Sequence, residues 1–216
     1  GTGTYSTSES IEITKMADSL GVDGIMIVTP YYSKPSQHGI LRHFEEISKI
    51  TDLPIMAYNI PGRTSTLIEL ETLQTLVDDI GIHSIKDAVG DFEFSKKQLE
   101  LLKDKADIYS GNDNQTYDFV INGGVGVVSV ASHVIGDEIA EMISFAKDND
   151  LEKAEEINMQ LSNLFEAIFE EPSPGPIKKI LSESWEEVGE PLLPITSITP
   201  ELANKIRGFY KKIKEN

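Results

Sequence analysis

A chain of 216 residues, 39% of them hydrophobic, is long enough to bury a sizeable core as one or two domains and has neither a collagen-like nor a disordered composition. A formal charge of −17 argues against nucleic-acid binding, since a phosphate backbone is held by clustered Lys and Arg; an acidic, solvated surface accounts for it. No cysteine is present, so disulfides and thiolate chemistry are excluded, and no apolar run reaches the roughly 18 residues of a membrane span, so a soluble, cytoplasmic protein is expected.

The start, "GTGTYSTSES", has neither a basic flank nor an apolar signal core. From residue 24 onward, short β-rich runs alternate with helical patterns. The runs are "GIMIVTP" (24–30), "LPIMAYNI" (53–60), "HSIKDA" (83–88), "ADIYSG" (106–111) and "GVGVVSVA" (124–131). Proline pushes the residue before it toward extended geometry and cannot continue a central strand, so the first run should stop at Thr29-Pro30 and pass into a loop carrying Tyr31 and Tyr32. Residues 36–50 put Ile40, Leu41, Phe44 and Ile47 on one helical face, and residues 95–102 offer a shorter amphipathic stretch. This is a βα series with a parallel sheet, its strands near-continuous apolar runs of the kind found when both faces are covered.

Beyond about residue 134 the pattern is helical only, and three or four helices are expected. Asn149-Asp150 breaks the first pair, "EPSPGP" the next, and the apolar stripes of Ile139, Met142 and Ile143 and of Leu161, Leu164, Phe165 and Ile168 call for a partner surface. The division expected is a partial βα barrel over 1–133 and a final barrel helix with a helical extension over 134–216.

In parallel α/β folds chemistry gathers at the C-terminal ends of strands. Those ends carry Tyr31 and Tyr32, then "YNIPGRT" with Tyr58 and Arg63, "IKDAVGD" with Lys86, and "SGND" with Gly111 and Asp113. Lysine is rarely buried, so Lys86 within a strand needs a reason. Desolvation yields a neutral amine able to form a Schiff base; an ion pair with Asp87 or another carboxylate at the strand end is the competing reading. Tyr58 is either packing or a proton carrier, and Arg63 either grips a carboxylate in a two-pronged contact or makes a surface ion pair. The glycines of "NGGVGVVS" (122–129) permit close backbone approach, but they precede a strand, which favours a tight turn over a nucleotide fingerprint. His38, His43, His83 and His133 form no ligand pair, so no metal is expected.

Taken in order and spacing, "TPYYSKPSQHG", "YNIPGRT", "IKDAVGD", "SGND" and "GGVGVVSVASH" resemble the pyruvate-dependent class I aldolase family of dihydrodipicolinate synthase and N-acetylneuraminate lyase. The arginine of "YNIPGRT" looks like the mark of the first branch. The resemblance implies a (β/α)8 barrel in which Lys86 condenses with pyruvate and the enamine attacks aspartate semialdehyde, giving 4-hydroxy-tetrahydrodipicolinate on the lysine and diaminopimelate route. It implies Tyr58 as proton relay, Arg63 as the carboxylate grip, the backbone around Gly111 and Val128 as walls near the lysine, and Tyr32 as a residue that crosses a dimer interface to complete the neighbour's relay. It also implies a homo-oligomer, dimer or tetramer, with no cofactor beyond the lysine–pyruvate Schiff base. Other pyruvate-dependent aldolases, such as a sugar-acid or N-acetylneuraminate lyase, and an inactive scaffold of the family are the alternatives.

The resemblance departs at the start. An eight-stranded barrel commonly takes about 250 residues, yet five strands are read here and "GTGTYST" looks like the end of the family's third. The family's Gly-Thr-Thr segment, whose threonine joins Tyr58 to Tyr32 and whose backbone binds the pyruvate carboxylate, lies outside these residues. The expectation is an N-terminally truncated barrel of impaired activity, a fragment or a shortened chain that assembles through exposed edges. Lysine-inhibited members commonly have an asparagine where this chain has Tyr5, while Glu9 and Tyr31 match, so weak or absent lysine inhibition is expected.

Overall fold

The computed structural model describes residues 1–215. Five strands form one parallel sheet in sequence order: β1 (Ile25–Val28), β2 (Ile55–Asn59), β3 (Ser84–Asp87), β4 (Asp107–Ser110) and β5 (Gly126–Val127). All five fall inside the runs read from the sequence. The register aligns Val28 with Tyr58, Tyr58 with Lys86, Lys86 with Tyr109, and Tyr109 with Gly126, so one row of residues crosses the sheet at one level.

Helices α1 (Thr7–Ser19), α2 (Gln37–Ser48), the single turn α3 (Pro61–Thr64), α4 (Leu70–Asp78) and α5 (Phe92–Leu101) accompany the strands. α1 packs on α2, α2 on α4 and α4 on α5. Their buried stripes, Ile40, Phe44 and Ile47 of α2, Leu73 and Leu76 of α4 and Leu99 of α5, answer the buried sheet residues Ile25, Ile27, Ile55, Ala57, Ile85 and Ile108. Burying one such side chain contributes about 1.5–3 kcal/mol relative to leaving it in water.

Burial alternates strictly along β1, β2 and β3: Met26, Val28, Met56, Tyr58, Ser84 and Lys86 on the opposite face are only half-buried. On that face apolar Met26, Val28 and Met56 extend the hydrophobic runs without being fully enclosed among the described residues. Residues 1–4 run beside β1: the Thr2 N–H donates to Met26 O at 3.0 Å. A side chain on Gly3 would place its Cβ 2.6 Å from Val28 N, so this close approach requires glycine.

Contacts separate two compact units, 1–112 with 122–128, and 113–121 with 129–216, so the segment 113–121 groups with the helical half of the chain, across the boundary read at 133. The second unit contains a 3₁₀ turn (Asp113–Gln115), α6 (Thr116–Ile121), α7 (Ser132–Lys147), α8 (Leu151–Ala167), α9 (Gly175–Ser184) and α10 (Pro200–Lys214). The helical tail therefore has four helices among the described residues, within the three or four expected. Asn149 at φ 61° ends α7, and the Asp150 carboxylate caps α8 by accepting from Lys153 N. α8 packs on α7 and α10, and α9 on α7 and α10, around Ile139, Met142, Leu161, Leu164, Phe165, Ile180 and Ile206. Among the described residues no helix is long and apolar enough to cross a membrane.

Candidate active site

The first unit brings Tyr58, Lys86, Gly111 and Val128 to the C-terminal edge of the sheet. Tyr58 and Lys86 are register partners on adjacent strands and point to the same half-buried face. The Lys86 Nζ lies 4.2 Å from the centroid of the Tyr58 ring. Tyr109, register partner of Lys86 on the other side, occupies the same face.

Tyr58 is held by its backbone, whose carbonyl accepts from both the N–H and the hydroxyl of buried Thr29 at 3.1 Å. Burial pushes the Tyr58 phenol up, and the positive charge of Arg63 pulls it part of the way back. Arg63 sits exposed in the turn α3, which proline opens and whose first bond is Arg63 N–H to Ile60 O at 3.0 Å.

The lysine side chain passes a gap in the wall. A Cβ on Gly111 would stand 2.8 Å from Ala88 Cβ, 3.0 Å from Asp87 O and 3.1 Å from Lys86 Cε, so only glycine lets the chain after β4 come this close. The Gly111 N–H donates to Asp87 O at 2.6 Å, and the Val128 N–H donates to Ser110 O at 2.9 Å just past β5.

The ion pair with Asp87 weighed as the reason for Lys86 is corrected by the fold. Neighbours on a strand leave it on opposite faces, and the Asp87 carboxylate is buried on the helix side, accepting from Val89 N–H, Ser95 Oγ and Gln98 Nε2. Asp113, the other polar residue of the "SGND" segment, lies in the second unit, where it accepts from the Ser129 hydroxyl and from the N–H groups of Val130 and Ala131 at 3.1 Å.

Tyr32 does not join this cluster. It is 92% exposed, with a left-handed φ of 68°, in the loop after β1. Tyr31 beside it packs edge-on against Tyr5, ring centroids 6.0 Å apart. The sequence reading leaves out Ser95 and Gln98, both fully buried; the signal open to it was two polar residues three apart within the amphipathic stretch. Among the described residues no group of three or more His, Cys, Asp or Glu side chains could hold a metal ion.

A sequence model described as the dihydrodipicolinate synthetase family matches residues 1–213. The chain belongs to that family. It is 41% identical to the 4-hydroxy-tetrahydrodipicolinate synthase of Desulforudis audaxviator over 212 residues, covering 98% of this chain and 72% of that one. It is 45% identical to the enzyme of the same name from Microcystis aeruginosa over 214 residues, 99% of this chain and 72% of that one. The structure superposes on the dihydrodipicolinate synthase of Cyanidioschyzon merolae, solved with lysine bound, with a TM-score of 0.95 at 40% identity, over 99% of this chain and 73% of that one. The α/β barrel-type fold read from the sequence is thus the family's, with five of its strands present among the described residues.

Proposed function

We propose that the chain carries the Schiff-base condensation of pyruvate with aspartate semialdehyde to 4-hydroxy-tetrahydrodipicolinate, a lyase reaction of lysine and diaminopimelate biosynthesis. Membership of the family and the names of its relatives support the reaction. The observation that carries the residue assignment is Lys86 Nζ 4.2 Å over the Tyr58 ring, at the strand ends and beside the glycine gap.

In this reading the Lys86 amine attacks the C2 carbonyl of pyruvate, and loss of water gives the imine. Loss of a methyl proton then gives an enamine, whose carbon attacks the aldehyde; cyclisation of the second substrate's amine onto C2 releases Lys86. No cofactor is needed, because the protonated imine is itself the electron sink. Tyr58 carries protons to and from the carbinolamine oxygen; the pull of Arg63 against burial keeps its phenol from rising further. Arg63, exposed at the rim, offers two parallel N–H donors to the carboxylate of the second substrate. The Gly111 and Val128 backbones shape the wall beside the lysine. Tyr32, exposed and held in a left-handed loop, is the residue contributed to a neighbouring subunit, so the working form is a homo-oligomer; a cytoplasmic location belongs to the same reading through the biosynthetic reaction.

Intact mass after incubation with pyruvate and sodium borohydride tests the reading. A pyruvate-sized adduct on the parent chain that is absent from Lys86→Ala is expected. No adduct on a folded parent chain, or an adduct that persists in Lys86→Ala, overturns it.

A further inference from the structure

We propose that Asp87 is a positioning residue for Lys86, acting through the backbone from the opposite face of β3; this rests on the assignment of Lys86 as the Schiff-base lysine. Lys86 is the last residue of β3 whose side chain lies on the half-buried face, and Asp87 follows it at 1% exposure on the helix side. A carboxylate so enclosed is tolerated only where donors satisfy it. Here three do, one from the turn after β3 and two from α5.

The Val89 N–H donates to Oδ1 at 2.8 Å and closes a tight turn two residues on, fixing the course of the chain immediately after the lysine. The Ser95 hydroxyl at 2.9 Å and the Gln98 amide at 3.2 Å both donate to Oδ2 from one face of α5. Gln98 leaves its own Oε1 buried without a partner, so the amide is oriented toward Asp87 at the expense of its other half. The Asp87 main-chain oxygen accepts from Gly111 N–H at 2.6 Å, and Gly111 is the residue whose missing side chain makes room for Lys86 Cε. One residue thus anchors the strand end to the following helix, to its own turn and to the backbone that borders the lysine. Burial pushes the Asp87 carboxyl up while the three donors and the nearby negative charge of Asp91 act on it in opposite senses, the donors holding it down.

Asp87→Asn keeps the volume but turns one acceptor oxygen into an N–H group facing a donor. The reporter is the NMR shift of the Lys86 ε-methylene, which carries the Nζ held 4.2 Å from the Tyr58 ring centroid and is expected to be displaced upfield by that ring, assigned by comparison with Lys86→Arg. The expected result is loss of that displacement in Asp87→Asn with the methyl spectrum of the core unchanged. Trapping of the pyruvate adduct is expected to slow by about tenfold to a hundredfold, since misplacement by an ångström can cost about that much. Ser95→Ala, which removes one donor and leaves the carboxylate, is expected to show the same changes in smaller measure, and it decides the matter if Asp87→Asn does not fold. Retention of the ring-current displacement and of the trapping rate, with only a lower unfolding temperature, overturns the proposal. A parent chain that forms no adduct overturns the Schiff-base assignment instead, and the NMR reporter still decides whether Asp87 positions the lysine.

Discussion

Lys86 and Tyr58 are register partners on adjacent parallel strands, and the lysine nitrogen rests 4.2 Å from the centre of the tyrosine ring. The pairing follows from two periodicities: in-register residues on neighbouring strands share a face, and the C-terminal strand ends open toward the site. It makes the ring a floor for the lysine and places the phenol oxygen within the same small region.

Tyr58→Phe separates those roles. The floor remains and the proton carrier goes, so formation of the borohydride-trapped pyruvate adduct should slow by roughly 10²-fold or more, the range typical of a lost general acid–base group. Thermal stability should hardly change, because the half-buried ring is retained. Single-turnover trapping with the parent's rate in Tyr58→Phe would exclude Tyr58 from proton transfer.

Gly111→Ala should fail for a steric reason. The new methyl group would meet Ala88 Cβ at 2.8 Å and Lys86 Cε at 3.1 Å, and overpacking of this kind costs about 1–3 kcal/mol. A lower urea midpoint together with a slower adduct is expected. Normal stability and normal trapping would show that the chain after β4 yields freely.

Arg63→Ala should leave pyruvate trapping nearly intact and weaken the second substrate by about 10- to 100-fold in KM, the loss of a hydrogen bond to a charged group of about 1.5–3 kcal/mol. It should also move the Tyr58 titration upward, because the Arg63 charge is what opposes burial there. A phenolate titration that does not move, or a KM effect on pyruvate instead, would contradict the assignment.

The resemblance implies weak or absent lysine inhibition at Tyr5, and the Tyr5 ring is engaged edge-on with Tyr31. Added L-lysine should therefore change the condensation rate by less than the roughly 5- to 150-fold typical of allosteric coupling. Steady-state rates with and without lysine, on the oligomer, check this; strong inhibition refutes it.

The first four strands were legible because each is a β-rich run that ends in, or is followed within two residues by, Gly or Pro, and Lys86 stood out as a charge inside one of them. β5 proved shorter than its run: Gly126 and Val127 pair with β4, whereas Val130 N–H and Ala131 N–H bond the Asp113 carboxylate, a long-range partner that propensity cannot reveal. α1 escaped notice since its buried positions are Ser10 and Thr14, which give no hydrophobic period. The one-turn helix α3 was too short to leave a pattern. The alternative of Asp87 as an ion partner for Lys86 rests on proximity in sequence, whereas strand alternation puts neighbours on opposite faces.

His43 supplies a pH dependence apart from the site. The imidazole is 3% exposed in α2, its Nδ1 2.9 Å from the Thr7 hydroxyl and its Nε2 buried without a partner, and burial lowers its pKa from 6.5 to about 4. The unfolded chain accepts a proton near pH 6.5 that the folded chain refuses until about pH 4. The stability associated with the neutral ring is therefore whole above pH 6.5 and is lost as the pH falls toward 4, by about 3 kcal/mol in all. Urea unfolding at a series of pH values should show His43→Gln with a shallower fall across that window, by up to about 1.4 kcal/mol per pH unit, the limit for one proton. Parallel pH profiles for parent and variant would mean that His43 takes up its proton in the folded chain as readily as in the unfolded one.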